Sequence, residues 1–331
     1  ELVDGNCPDC GRKAERIREQ SFFFRLSKYQ EPLLKFYREN PNFIFPKTRF
    51  NEVIRFVEGG LRDLSVSRLK LKWGIPVPND PNHVIYVWFD ALTNYITGVG
   101  FPNNKELFER YWPANLHVIG KDIVRFHAVY WPSFLMSAGI ELPKQEIVHG
   151  WWLRDDTKIS KSRGNVVDPE FLIKSFGVDG TRYFLMREAP NAADSNYSFD
   201  SILRRVNSDL ANDLGNLVSR SLTMVHRYTG GIVPEAQSGS APFQSELESI
   251  VNSLQKSVDD FAFPKLLADT WSVINAMNRY IVEEQPCVLA KDEANKQRLN
   301  NVLYNTCEGV RVIAGIVSPV IPSASDTLWK Q

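Results

Sequence analysis

The 331 residues are 43% apolar and 12% aromatic, enough for two or three packed units of ~100–200 residues and too apolar for a disordered chain. The 39 basic side chains balance 39 acidic ones, 27 and 25 of them in residues 1–200, which excludes a non-specific nucleic-acid coat and leaves only local stripes for reading a folded RNA. Apolar runs such as Val312–Val317 fall far short of the ~18 residues of a membrane-crossing helix. No basic, apolar leader opens the sequence, and four cysteines make no disulfide scaffold, so a reducing compartment is expected, the cytoplasm or an organelle.

In chain order, Cys7-Pro8-Asp9-Cys10-Gly11 comes first. Two cysteines two residues apart form one half of a zinc knuckle, and a structural zinc needs four ligands. Cys287 and Cys307 lie far off in helical patterns. Either a second pair lies outside this chain, or the knuckle is empty and Cys7 and Cys10 are free thiols in a turn. Phe22–Tyr37 reads as a helix with Leu33, Leu34 and Phe36 on its apolar face, and Asn51–Phe56 continues helically to Gly59-Gly60. Val84–Phe89 reads as a buried strand. Leu116–Ile119 reads as a second, ending at Gly120, with a helix following from Asp122 through Met136 to Gly139. That order is the α/β arrangement that places ligands at strand C-termini.

Asp168-Pro169-Glu170 is a helix start, Gly177 an end, and Asp179 a cap for the next helix. From Asp200 the pattern is all-helical: Ile202, Leu203, Val206, Leu210, Leu214, Leu217 and Val218 keep helical spacing. Gly230–Pro242 reads as a polar linker. Helices are expected over Pro264–Glu284 and Glu293–Val317, with Pro319 and Pro322 closing the chain.

The sharpest chemical feature is Lys158-Ile159-Ser160-Lys161-Ser162-Arg163-Gly164-Asn165. Ammonium groups, hydroxyls and backbone N–H groups of such a segment can wrap a polyphosphate. In isolation a short Lys/Ser loop is more often a solvated turn. Here strand-like His149–Leu153 leads in and a capped helix follows.

KISKSRGNVVDP is similar to KMSKS, the second signature of class I aminoacyl-tRNA synthetases. The surrounding FFFRLSKYQ, DLSVSR, WGIPVP, YVWFDALTNYI, VIGKDIVRFHAVYWPSFLMSAGI, HGWW and NSDLANDLGNLVSR resemble the methionyl-tRNA synthetase family, in order, from about residue 5 to about 322. Ile159 replaces the signature's Met, a mild departure. The HIGH signature of the class occurs nowhere in the sequence. The chain is therefore expected to be the C-terminal portion of a longer synthetase, inactive by itself, with its partner half carrying HIGH.

The resemblance implies a fold, an activity and a set of sites. The fold is α/β, the second half of a Rossmann-type nucleotide-binding domain, followed by an all-α anticodon-binding bundle. The expected parts are a connective remnant over 1–78, the catalytic half over 79–148, the KISKS loop and stem-contact region over 149–200, and the anticodon-binding domain over 201–331. The activity is ATP-dependent ligation of methionine to tRNA(Met) through methionyl adenylate, with Mg2+ on the ATP and one structural Zn2+ if Cys7 and Cys10 find partners. Lys158 and Lys161 are the expected catalytic residues. ATP is expected to meet Gly120, Asp122, His149, Lys158, Ser160, Lys161 and Ser162. Methionine is expected to meet Trp88, Tyr95, Ile123, His127, Tyr130 and Trp131, although plain core packing also accounts for such a ring set. Leu92 stands where one branch of the family has Pro. Asn212, Asn216 and Arg220, four apart, form the stripe expected to read the anticodon. The family's base-stacking Trp is replaced by Cys287, after Pro286. A non-catalytic tRNA-binding protein is the alternative, disfavoured because a pure binder needs neither the loop nor the methionine pocket. A synthetase for Ile, Leu or Val is disfavoured by the short connective region.

Overall fold

The computed structural model describes residues 5–6, 12–13, 19–154, 156–159, 164–189, 193–236 and 241–331. Cys7, Cys10, Ser160, Lys161 and Ser162 lie outside these residues. The chain divides into two compact units, Glu1–Trp151 and Trp152–Gln331.

In the first unit β1 (Phe23–Phe24) is followed by α1 (Gln30–Glu39), β2 (Ile44–Phe45), α2 (Lys47–Glu58), β3 (Leu64–Ser65), β4 (Ser67–Arg68), β5 (Pro76–Val77) and β6 (Asp80–Ile85). Next come α3 (Val87–Thr97), α4 (Lys105–Tyr111), β7 (His117–Gly120), α5 (Trp131–Ala138) and β8 (Glu146–His149). The sheet that organises the unit is three-stranded and parallel, in the order β2-β8-β7. Its buried face carries Ile44, Val148 and Ile119, packed against Leu33, Val53 and Val57 of α1 and α2.

The expected helix over Phe22–Tyr37 begins at Leu26, as a 3-10 turn over Leu26–Tyr29 that leads into α1 at Gln30, because Phe23–Phe24 pairs antiparallel with Leu64–Ser65. The expected strand over Val84–Phe89 stops at Ile85, and α3 starts at Val87. Leu92 and Ile96, four apart, are buried on one helix face, and that spacing prevails over the short apolar run.

The stretch after β7 is three segments rather than one helix. A 3-10 turn spans Lys121–Ile123, a π-helical segment Phe126–Tyr130, and α5 closes at Gly139 with φ 68°. Pro132 has no N–H to give the carbonyl of Ala128 four residues earlier. The Tyr37 hydroxyl donates to that carbonyl instead and ties α1 to the segment.

In the second unit β9 (Trp152–Arg154) pairs antiparallel with β10 (Thr157–Lys158) and parallel with β11 (Ser195–Tyr197), which follows α6 (Pro169–Glu188). Asp168 caps α6 through the Glu170 N–H at 2.9 Å. Gly177, at φ 73°, interrupts α6, and Asp179 does not cap the next turn: its carboxylate accepts from Ser323 and Ala324 N–H. The rest is helical: α7 (Phe199–Arg205), a π-helical segment Val206–Gly215, α8 (Asn216–Thr229), α9 (Gln244–Asp259), α10 (Phe263–Glu284), α11 (Pro286–Leu289), α12 (Lys296–Val317) and α13 (Pro322–Trp329). Pro322 therefore opens a helix instead of closing the chain. The bundle core joins Leu217 and Val225 of α8, Leu267, Ile274 and Met277 of α10, and Leu303 and Ile313 of α12. Among the described residues no helix is long and apolar enough to cross a membrane.

Candidate active site

Trp88 and Tyr95, two turns apart on α3, share one face. The facing wall is the π-helical segment Phe126–Tyr130; such bulges recur at functional sites. Phe126 stacks on Trp88 with ring centres 3.9 Å apart and planes at 19°, and it meets Tyr130 edge-on at 5.4 Å. The Tyr95 hydroxyl donates to His127 Nε2 at 2.8 Å, and His127 Nδ1–H donates to the Ile123 carbonyl at 3.0 Å. Those two bonds fix the neutral tautomer with hydrogen on Nδ1. Burial pushes the His127 imidazole below its ordinary range, against the carbonyl's opposing pull, and so keeps it neutral. Trp131 is 1% exposed and packs 6.2 Å from the Tyr95 ring. Trp88, Tyr95, Ile123, His127, Tyr130 and Trp131 thus form one ring-lined cluster. Leu92 is buried in the core beneath it.

Two members were not read from the sequence. Phe126 is the residue before His127, inside a stretch that already stood out. His117, centred 4.2 Å from the Tyr95 ring, is marked by the buried–exposed–buried alternation of β7.

A second group gathers at the C-terminal ends of the parallel strands. Gly120 and His149 are register partners on β7 and β8. A Cβ on Gly120 would lie 2.9 Å from Asp122 Oδ1 and 3.7 Å from the His149 ring, so glycine keeps this edge open. Asp122 accepts from Trp151 Nε1–H at 3.3 Å, while the Lys121 ammonium sits 3.9 Å above the Trp151 ring. His149 Nδ1–H donates to the Gly150 carbonyl at 2.7 Å. Gly120, Asp122 and His149 thus share one open strand edge, where ligands of α/β sheets bind.

Lys158 stands in the second unit, exposed on β10, its carbonyl accepting from Asn165 Nδ2 at 3.1 Å. The hairpin carrying it turns at Asp156, φ 57°, whose carboxylate accepts from Asn196 Nδ2 at 2.8 Å. Also in the second unit, Asn212, Asn216 and Arg220 line one cleft of about 770 Å³ together with Asn275, Asn278 and Arg279. Among the described residues no aromatic side chain lines this cleft, and Cys287 is exposed. No group of three or more metal-ligating side chains is present among the described residues.

The family model of class I tRNA synthetases of the methionine type matches residues 1–222. The methionine–tRNA ligase of Caldanaerobacter subterraneus subsp. tengcongensis is 48% identical over 336 aligned residues, covering the whole chain and 52% of that protein. That of Mycobacterium leprae is 51% identical over 314 residues, 93% of the chain and 58% of its own length. Among solved structures, Mycobacterium tuberculosis methionyl-tRNA synthetase bound to methionyl-adenylate superposes with a TM-score of 0.92 at 48% identity, over 99% of the chain and 66% of that protein. The chain spans about half the length of the curated relatives it matches.

Proposed function

The chain belongs to the methionyl-tRNA synthetases of class I, and from that premise we propose that it supplies the methionine pocket, the KISKS loop and the anticodon-reading bundle of an enzyme that joins methionine to tRNA(Met). The observation that carries the reading is the ring cluster around the Tyr95–His127 hydrogen bond. A thioether is polarizable and weakly polar, and each sulfur–ring contact is worth ~0.3–1.5 kcal/mol. Trp88, Phe126 and Tyr130 offer such faces. The Tyr95–His127 pair is neutral and rejects a charged side chain.

The reaction follows in two displacements. A carboxylate oxygen of methionine forms a bond to the α-phosphorus of ATP as the bond to the bridging oxygen breaks, releasing pyrophosphate. The ribose hydroxyl at the tRNA terminus then takes the acyl group and AMP leaves. Such transfers depend on positioning and on stabilising developing charge. Gly120, Asp122 and His149 are read as the ATP ribose edge. Lys158 and Lys161 are read as the cations on the departing pyrophosphate, with Ser160 and Ser162 as hydrogen-bond donors beside them. Magnesium would accompany the ATP phosphates. Asn212, Asn216 and Arg220 are read as the anticodon contacts, with Asn278 and Arg279 across the same cleft. A companion half carrying HIGH completes the enzyme.

Methionine-dependent ATP–pyrophosphate exchange by the full-length protein tests the reading. Lys161→Ala should lower the exchange rate ~100–1,000-fold with methionine affinity little changed. Trp88→Ala should raise the methionine KM and admit leucine-like side chains, since such discrimination rests on ~1–3 kcal/mol. Normal exchange in Lys161→Ala removes the loop from the mechanism, and unchanged selectivity in Trp88→Ala makes the rings mere core.

A further inference from the structure

Behind the ring cluster one row of side chains crosses the parallel sheet. Ile44, Glu146 and His117 are register partners on β2, β8 and β7 and point to the same buried face. Glu146 is 0% exposed, and neither of its carboxyl oxygens has a hydrogen-bond partner among the described residues. The same holds for His117 Nε2 and Trp131 Nε1. The Tyr95 ring lies against both of these, 4.2 Å from His117 and 6.2 Å from Trp131, and Trp112 stands 6.1 Å from each. Buried polar atoms are almost always paired, so these four orphans, on the register partners Glu146 and His117 and on Trp131 across the Tyr95 ring, call for one explanation.

An ionised carboxylate at this depth, with no cation beside it, costs several kcal/mol. Burial accordingly raises the Glu146 carboxyl well above its ordinary range. Burial, and after it the neighbouring His127, lowers the His117 imidazole to about 4. With the carboxyl protonated and the imidazole neutral, the four atoms are complementary. Trp131 Nε1–H and the Glu146 hydroxyl donate; the second Glu146 oxygen and His117 Nε2 accept.

We propose that Glu146 is held as a neutral carboxylic acid that links Trp131 Nε1–H to His117 Nε2, across enclosed water where the side chains do not meet directly, and that this network is a positioning device for Tyr95. Glu146 touches no substrate. It fixes the two rings against which Tyr95 packs, and Tyr95 presents its hydroxyl to His127 in the pocket. The role assigned to Tyr95 rests on the methionine reading; the state of Glu146 does not.

The test uses the full-length protein with Glu146→Leu and Glu146→Gln. Leucine fills the space without hydrogen bonds, whereas glutamine is neutral and keeps a donor and an acceptor. Glu146→Leu should raise the methionine KM about tenfold with kcat within about twofold, and Glu146→Gln should restore KM to near wild type. Infrared difference spectra of wild type against Glu146→Gln at neutral pH should show the carbonyl stretch of a protonated, buried carboxyl. A carboxylate band in its place overturns the proposal, and so does a Glu146→Leu variant with wild-type KM. If wild type activates no methionine, the functional reading fails while the infrared band still decides the state of Glu146. If Glu146→Leu does not fold, a Glu146→Gln KM far above wild type is the contradicting result.

Discussion

Tyr95 donates its only hydroxyl hydrogen to His127, a residue 2% exposed. Tyr95→Phe keeps the ring and leaves the His127 acceptor unmet, at about 1–3 kcal/mol. The methionine KM should rise about tenfold or more, measured by exchange kinetics, with a smaller change in kcat. The buried imidazoles also set an acid limit. His117 titrates near 4 in the folded chain against 6.5 unfolded, so below 6.5 the unfolded chain binds the extra proton. Its contribution is therefore present above pH 6.5 and lost as pH falls toward 4, by up to about 3 kcal/mol. Glu146 has the opposite sign: its raised folded value favours the native state at low pH and costs stability as pH rises above 4.5. Thermal unfolding from pH 7 to 4 should show a shallower acid fall for His117→Gln and a steeper one for Glu146→Gln. Most of this cluster was legible in the sequence, because Trp88, Tyr95, His127 and Tyr130 stood in segments resembling one family. Glu146 was not: a lone Glu in a strand reads as a surface residue until its register partner is known to be buried.

At the scale of elements, π-helical winding is what spacing rules cannot foresee. The segments Phe126–Tyr130 and Val206–Gly215 carry His127 and Asn212, and a uniform 3.6-residue period misplaces their faces. The second segment is tied down by a polar knot. The Tyr183 hydroxyl donates to Asp209 at 2.7 Å, Arg205 bridges Asp209 at 3.1 Å and Glu188 at 2.5 Å, and Trp271 Nε1–H donates to the Asp209 carbonyl at 3.1 Å. Tyr183→Phe should cost about 1.5–3 kcal/mol, seen as a lower unfolding temperature. On the same bundle, Arg220→Ala or Asn216→Ala should weaken tRNA(Met) binding about tenfold or more and leave methionine-dependent exchange unchanged, since the cleft is read as the anticodon site. Helix α9 escaped the sequence reading because Leu247, Ile250 and Leu254 are its few apolar anchors in a polar stretch. Asp179 was read as a local cap because nothing in the sequence shows that α13 returns to it.

The molecule as a whole is neutral, with 39 charges of each sign, and offers no general field for RNA. Under the proposed function, tRNA recognition would come from placed groups such as the Asn and Arg stripe. The relatives are about twice as long as the chain, and HIGH is absent from the 331 residues. These residues alone should therefore form no adenylate, and adding the HIGH-bearing half should restore pyrophosphate exchange; robust exchange without it contradicts that division of the active site. The most direct measurement of the central claim is ATP–pyrophosphate exchange by the full-length protein with methionine, leucine, isoleucine and valine supplied in turn. The account predicts exchange with methionine at a kcat/KM at least tenfold above each of the others. Equal or greater exchange with leucine, isoleucine or valine would contradict it.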